Sequence, residues 1–117
     1  MTDVGSNNLM RGTLDLLVLR ALERGEAHGF AIARWIRSES DDAVGFEDAA
    51  LYQSLHRLER QGTVASSWGR SENNRRARFY RLTSKGRKRL GEETAAFRSY
   101  AEAVMRLLGS GAAGGEG

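Results

Sequence analysis

The sequence predicts a mainly α-helical domain carrying one small β-hairpin, and three observations predict it. Apolar residues recur at helical spacing in three successive stretches before residue 62, give way to a strand-like alternation over 64–69 and an aromatic-rich run over 77–82, and return to helical spacing over 84–108. The chain has 117 residues, 40% of them apolar and 28% charged. That length fits one domain and that mixture is ordinary for a folded protein. A body this small exposes much of its surface, so self-association is a natural source of added stability. The chain contains no Pro and no Cys. Turns therefore fall to Gly and polar pairs, and disulfide and thiolate chemistry are excluded. No apolar run reaches the roughly 18 residues of a membrane helix. Residues 1–8 lack the basic-then-apolar pattern of a signal peptide, and the expectation is a cytoplasmic protein.

Residues 1–8 are short and polar and are expected to be unstructured. A first helix is expected over 14–24, capped by Thr13, with Asp15 in its first turn and Gly25 closing it. Leu14, Leu16, Leu17, Val18, Leu19, Ala21 and Leu22 make it apolar nearly all round. Such a helix needs cover on more than one side, part of it expected from a second subunit. A second helix fits 29–38, with Gly29, Ile32, Ala33 and Ile36 as its buried stripe. His28 marks its start, and Trp35 lies off the stripe, where it suits a subunit contact. A polar connection over 38–45 follows.

The third helix, 48–61, is the most informative. Leu51, Leu55 and Leu58 fall on one inward stripe. The opposite side carries Ala49, Gln53, His56, Arg57 and Arg60, with Tyr52 on the flank. These side chains suit base edges and phosphates: Arg pairs bidentately with guanine and Gln with adenine. On this observation alone, a plain solvated face is the competing reading.

Strands are expected over 64–69 and 77–82, joined by a polar tip in which Asn73-Asn74 suits a turn needing positive φ. Three helices followed by a cationic hairpin is the order of a winged helix-turn-helix, in which the third helix enters the major groove and the hairpin tracks the neighbouring backbone. A last helix is expected over 84–108, with a coiled-coil-like seam of Leu90, Thr94, Phe97, Ala101, Val104 and Leu108. At about 37 Å it is too long for so small a body to bury. Its expected partner is another copy, through Leu16, Leu19, Leu90, Phe97, Ala101, Val104 and Leu108. The organisation expected is thus an unstructured 1–8, a winged helix-turn-helix over 9–83, a dimerisation helix over 84–108 and a flexible Gly-rich tail over 109–117.

Charge is unevenly spread. Between Trp68 and Leu90 nine basic residues face Glu72 alone, leaving +8, while nine basic and fourteen acidic residues elsewhere leave −5. That asymmetry points to a polyanionic partner, although a charge run alone also fits a solvated surface. Lys85, Arg87, Lys88 and Arg89 stand in the first turns of the last helix, where cations oppose the macrodipole at some tenths of a kcal/mol each. A nearby phosphate would remove that conflict.

Enzymatic function is not expected. The two histidines have helical contexts, the paired acids Asp41-Asp42 and Glu92-Glu93 are adjacent rather than opposed, and no Gly-rich phosphate loop follows a strand. Metal-ligand spacing is missing, so neither metal nor cofactor is expected.

Four segments resemble PadR-like transcriptional regulators. Gly12-Thr13-Leu14-Asp15-Leu16-Leu17-Val18-Leu19 resembles the family's opening, and His28-Gly29-Phe30-Ala31-Ile32 its HGY-type start of the second helix. The segment from Leu51 to Gly62, LYQSLHRLERQG, resembles its LYPALxRLExxG recognition helix, and Arg78 to Gly86, RFYRLTSKG, its YYxLTxxG strand-to-helix junction. One departure is Gln53, where the family usually has Pro; it restores an N–H and adds a polar side chain. The resemblance implies a short-form homodimeric regulator of double-stranded DNA, usually a repressor and often released by a small molecule. On that basis Tyr52, Gln53, His56, Arg57 and Arg60 are expected at the DNA from the recognition helix, Arg75, Arg76 and Arg78 from the wing, and Lys85 and Arg87 at phosphates. Trp35, Phe97 and Tyr100 are the aromatic candidates for an effector, against the plainer reading of dimer packing. A second class stays open: an interaction or ligand-sensing module whose basic face takes RNA or an acidic protein, with little preference among duplexes.

Overall fold

A computed structural model describes residues 2–109, with side chains from residue 12 onward. The order is α1 (Thr2–Glu23), β1 (Ala27–His28), α2 (Gly29–Glu39), α3 (Asp48–Arg60), β2 (Val64–Arg70), β3 (Arg76–Leu82) and α4 (Ser84–Leu107). The strands form one antiparallel sheet in the order β1-β3-β2. No described helix is long and apolar enough to cross a membrane.

α1 begins well before the expected start, taking in backbone from the stretch 1–8 that was expected to be unstructured. Thr13 is therefore interior rather than a cap, and Asp15 lies several turns into the helix. Once 14–22 are packed, extension toward the N-terminus adds a backbone hydrogen bond per residue without a new nucleation cost. The chain leaves α1 through Gly25 at φ +140, a region closed to L side chains. The expected tail beyond Gly109 lies outside the described residues.

The core joins Leu14, Val18, Leu19 and Leu22 of α1 to Ile32 and Ile36 of α2, Leu51, Leu55 and Leu58 of α3, Val64, Tyr80 and Leu82 of the sheet and Leu90 of α4. This explains the all-round apolar α1: its own chain wraps it with α2, α3, α4 and β3. It also corrects two residues of the expected subunit contact. Leu19 and Leu90 are 0% and 5% exposed inside the protomer, so neither is open to a second copy. Burial of the sheet's Tyr80 pushes its phenol above the ordinary value, against the opposing pull of Arg78.

α2 buries the expected stripe of Gly29, Ile32, Ala33 and Ile36. His28 is its N-cap, its Nδ1 accepting from the Ala31 N–H at 3.2 Å. β1 was not expected; its Ala27 and His28 pair with Tyr80 and Phe79.

The hairpin runs in register from Val64↔Leu82 at its base to Arg70↔Arg76 at its tip. Asn74 turns the chain at φ 61, as the Asn pair predicts. One face carries Val64, Leu82 and Tyr80 in the core, then Ser66, then Trp68 with Arg78, Arg76 and Arg70 outside. The hairpin thus grades from apolar to cationic along its length.

Its base is knotted to both neighbouring helices. Gly62 turns the chain at φ +79. Thr83 caps α4 by accepting from the Gly86 N–H at 3.0 Å, while its hydroxyl donates to the Gly62 carbonyl at 2.7 Å. The Thr83 N–H donates to the Thr63 carbonyl at 3.1 Å. A Cβ on Gly86 would stand 2.1 Å from that same Thr63 oxygen.

Candidate nucleic-acid interface

α3 turns Leu51, Ser54, Leu55 and Leu58 inward. That leaves Ala49, Tyr52, Gln53, His56 and Arg60 exposed on one continuous face. Arg57 is different. Its guanidinium folds back on Asp15 of α1, with Nε at 3.1 Å from one carboxylate oxygen and Nη2 at 2.7 Å from the other. The Ser54 hydroxyl donates to the same carboxylate at 2.6 Å. The hydrogen bond to Asp15 raises the Arg57 pKa further above its already high value. Arg57, expected at the DNA, is engaged inside the protomer in the chain alone, because a half-buried fork beside a buried carboxylate takes the nearer anion.

The hairpin stands beside this face. Arg75 and Arg76 are exposed. Trp68 is 56% exposed, with the Arg76 guanidinium 4.4 Å and that of Arg78 5.4 Å from its ring centre. Arg78 also anchors the hairpin to α3: its Nε donates to the Ser66 hydroxyl at 3.0 Å, Ser66 donates to Glu59 at 2.7 Å, and Arg78 pairs with Glu59 at 3.6 Å. Arg78 therefore braces the wing as well as charging it. Ser66→Ala is expected to cost about 1 kcal/mol in urea unfolding, since it removes the atom on which both partners meet.

Between the wing, α3 and the start of α2 lies an open cleft of about 550 Å³. Phe30, Tyr52, Trp68 and Tyr80 supply rings to it, and Arg34, Arg75, Arg76 and Arg78 supply positive charge. Tyr52 lies against Gly29, where an added Cβ would meet its ring at 2.6 Å. Sequence reading missed Phe30 and Arg34 here. They are one helical turn apart on the exposed side of α2, with the Arg34 guanidinium 5.2 Å from the Phe30 ring centre.

At the start of α4 three of the four cations have partners. Lys85 donates to the Gln61 carbonyl at 2.8 Å, at the C-terminal end of α3, where a positive charge suits that helix's dipole. Lys88 pairs with Glu92, and Arg89 with Glu93 and Gln61. For these three the expected conflict with the α4 dipole is offset within the protein, while Arg87 is exposed.

The aromatic trio lies elsewhere. Trp35 is half-buried with Arg24 5.1 Å from its ring centre, while Phe97 and Tyr100 are 44% and 63% exposed on α4. None of the three lines the cleft. Among the described residues, no group of His, Cys, Asp or Glu is arranged to hold a metal ion.

A three-helix body whose third helix shows a polar face beside a cationic hairpin is the architecture of winged-helix transcriptional regulators, which bind DNA. The chain belongs to the transcriptional regulator PadR-like family, whose sequence profile matches residues 18–92. It is similar to the PadR family transcriptional regulator of Eggerthella lenta, at 34% identity over 92% of this chain and 91% of that one, with a TM-score of 0.71. It is similar also to a transcriptional regulator from Clostridium thermocellum, at 26% identity over 85% and 93% of the two chains, with a TM-score of 0.75. A Lysinibacillus sphaericus protein named only as uncharacterised is 27% identical over 74% of this chain and 79% of its own.

Proposed function

We propose that two copies of this chain bind a pseudo-palindromic operator in double-stranded DNA and repress transcription in the cytoplasm. The observation that carries the reading is the exposure of Tyr52, Gln53, His56 and Arg60 on one face of α3, with Arg75 and Arg76 of the wing sharing a cleft with Tyr52. In this reading Gln53, His56 and Arg60 face base edges, Tyr52 a phosphate, and Arg75, Arg76 and Arg78 the backbone beside the major groove. Lys85 and Arg87, exposed in the first turn of α4, are assigned to phosphates in the same reading.

The homodimer is supported by α4. Over its outer half Phe97, Tyr100, Met105, Leu107 and Leu108 are all more than 40% exposed, a density of apolar surface that a second α4 would cover. Ala101 and Val104 are half-buried between them. Two reading helices related by a two-fold axis then meet half-sites about one helical turn apart. A small-molecule effector is assigned to the aromatic rings near this seam, Phe97 and Tyr100, with Trp35 the third candidate.

Selection of duplexes from a randomised pool by the purified protein tests the reading. Gln53→Ala and Arg60→Ala are expected to lower preference for the selected site over a scrambled duplex by about 1–3 kcal/mol each. Arg75→Ala is expected to weaken both duplexes alike and to reduce the salt slope by about one. Failure to enrich any duplex, or uniform small effects of all three substitutions, would overturn it.

A further inference from the structure

We infer that Asp15 is a positioning residue for DNA reading: by gripping Arg57 and Ser54 it fixes the rotation of α3 on α1, and so the direction of Gln53, His56 and Arg60. The inference rests on the operator-binding reading above and adds a residue that touches no DNA itself.

Asp15 is the one acid within the apolar stretch 14–22 of α1, and it is 8% exposed. Three hydrogen bonds converge on it from two positions of α3 one turn apart: Ser54 at 2.6 Å and the two Arg57 nitrogens at 2.7 and 3.1 Å. Removing a carboxylate from water is costly, and an aliphatic contact of similar volume commonly holds two helices as well or better. What an aliphatic contact lacks is direction. Leu51, Leu55 and Leu58 bury α3 against the core, yet hydrophobic contact alone resists rolling about the helix axis only weakly. A roll of about 20° swings a tip roughly 6 Å from the axis by about 2 Å. That displacement takes a bidentate contact to a base edge outside hydrogen-bond range. A fork held by both oxygens of one carboxylate, with a hydroxyl beside it, fixes that rotation.

Charge makes the role testable. Asp15→Asn removes a negative charge next to the DNA-facing helix and frees Arg57, so by electrostatics alone it would tighten binding to every duplex. Arg57→Ala changes charge in the opposite sense and would loosen binding to every duplex. Positioning predicts that both variants lose discrimination together. The probes are the duplex most enriched by the wild-type protein from a randomised pool and a scrambled duplex of the same composition. For Asp15→Asn, Arg57→Ala and Arg57→Lys the ratio of the two affinities is expected to fall roughly tenfold or more. The double variant Asp15→Asn with Arg57→Ala is expected to fall no further than either single one. Affinity for the scrambled duplex is expected to rise in Asp15→Asn and fall in Arg57→Ala. Ile36→Val, which trims the core on α2 without touching the pair, serves as the stability control and is expected to keep the wild-type ratio. An unchanged ratio in Asp15→Asn, or a loss confined to the Arg57 variants, overturns the positioning role and leaves operator binding standing. A wild-type protein that enriches no duplex overturns both.

Discussion

Gly86→Ala is expected to destabilise the protein by about 2–3 kcal/mol, read from the midpoint of urea unfolding. Helix propensity alone says the reverse, because Ala is favoured over Gly by about 1 kcal/mol inside a helix. The surroundings decide. The new methyl would stand 2.1 Å from the Thr63 carbonyl oxygen and 2.9 Å from a Leu82 methyl. The carbonyl is backbone and accepts from the Thr83 N–H, so relief requires α4 to lift from the hairpin base. Gly91 provides the contrast within the same helix. Nothing lies within 4 Å of its added Cβ, so Gly91→Ala is expected to stabilise by about 0.5–1 kcal/mol. Opposite signs five residues apart would establish that contact, not propensity, governs the start of α4. Equal signs would refute the close approach.

Phe97→Ser combined with Leu108→Ser is expected to separate the proposed homodimer. Both positions are exposed in the protomer, Leu108 at 74%, so the folded chain is expected to survive. Neither change alters charge, so electrostatic attraction to DNA is preserved. Light scattering is expected to show the mass of one chain where the unaltered protein shows two. Affinity for a two-half-site duplex is expected to fall by about two orders of magnitude, since each half-site is then bound without the other's effective concentration. Affinity for a single half-site is expected to change little. A variant that stays double, or a single chain that binds the full site undiminished, would remove α4 from assembly.

The parts legible in the sequence share a property: their signal is periodic and local. The inward stripes of α2 and α3, the alternation of the hairpin and the Asn74 turn each follow from spacing within a dozen residues, and each is present. β1 was not legible because two residues carry no period. Its pairing with Phe79 and Tyr80 exists only once the hairpin does. The fate of Arg57 depends on a carboxylate 42 residues earlier, and helical spacing assigns it to the polar side without saying which neighbour it meets. The available hint was Asp15 itself, an acid in an apolar run, with Ser54 inside the buried stripe of α3. Leu19 and Leu90 show a related limit. Apolar periodicity identifies a face that must be covered, but it does not distinguish cover by the chain's own helices from cover by a second copy.

The knot at Gly62, Thr63, Thr83 and Gly86 has a mechanical consequence. It binds the last turn of one helix, the root of the hairpin and the first turn of another into a single stiff corner, so these three elements have no independent pivot. Torque applied to the far end of the long terminal rod, about 36 Å away by its 24 residues, therefore arrives at the polar helix as a tilt of the whole head. Wherever two such rods are clasped, the gap between their heads and the angle of the clasp become one adjustable quantity.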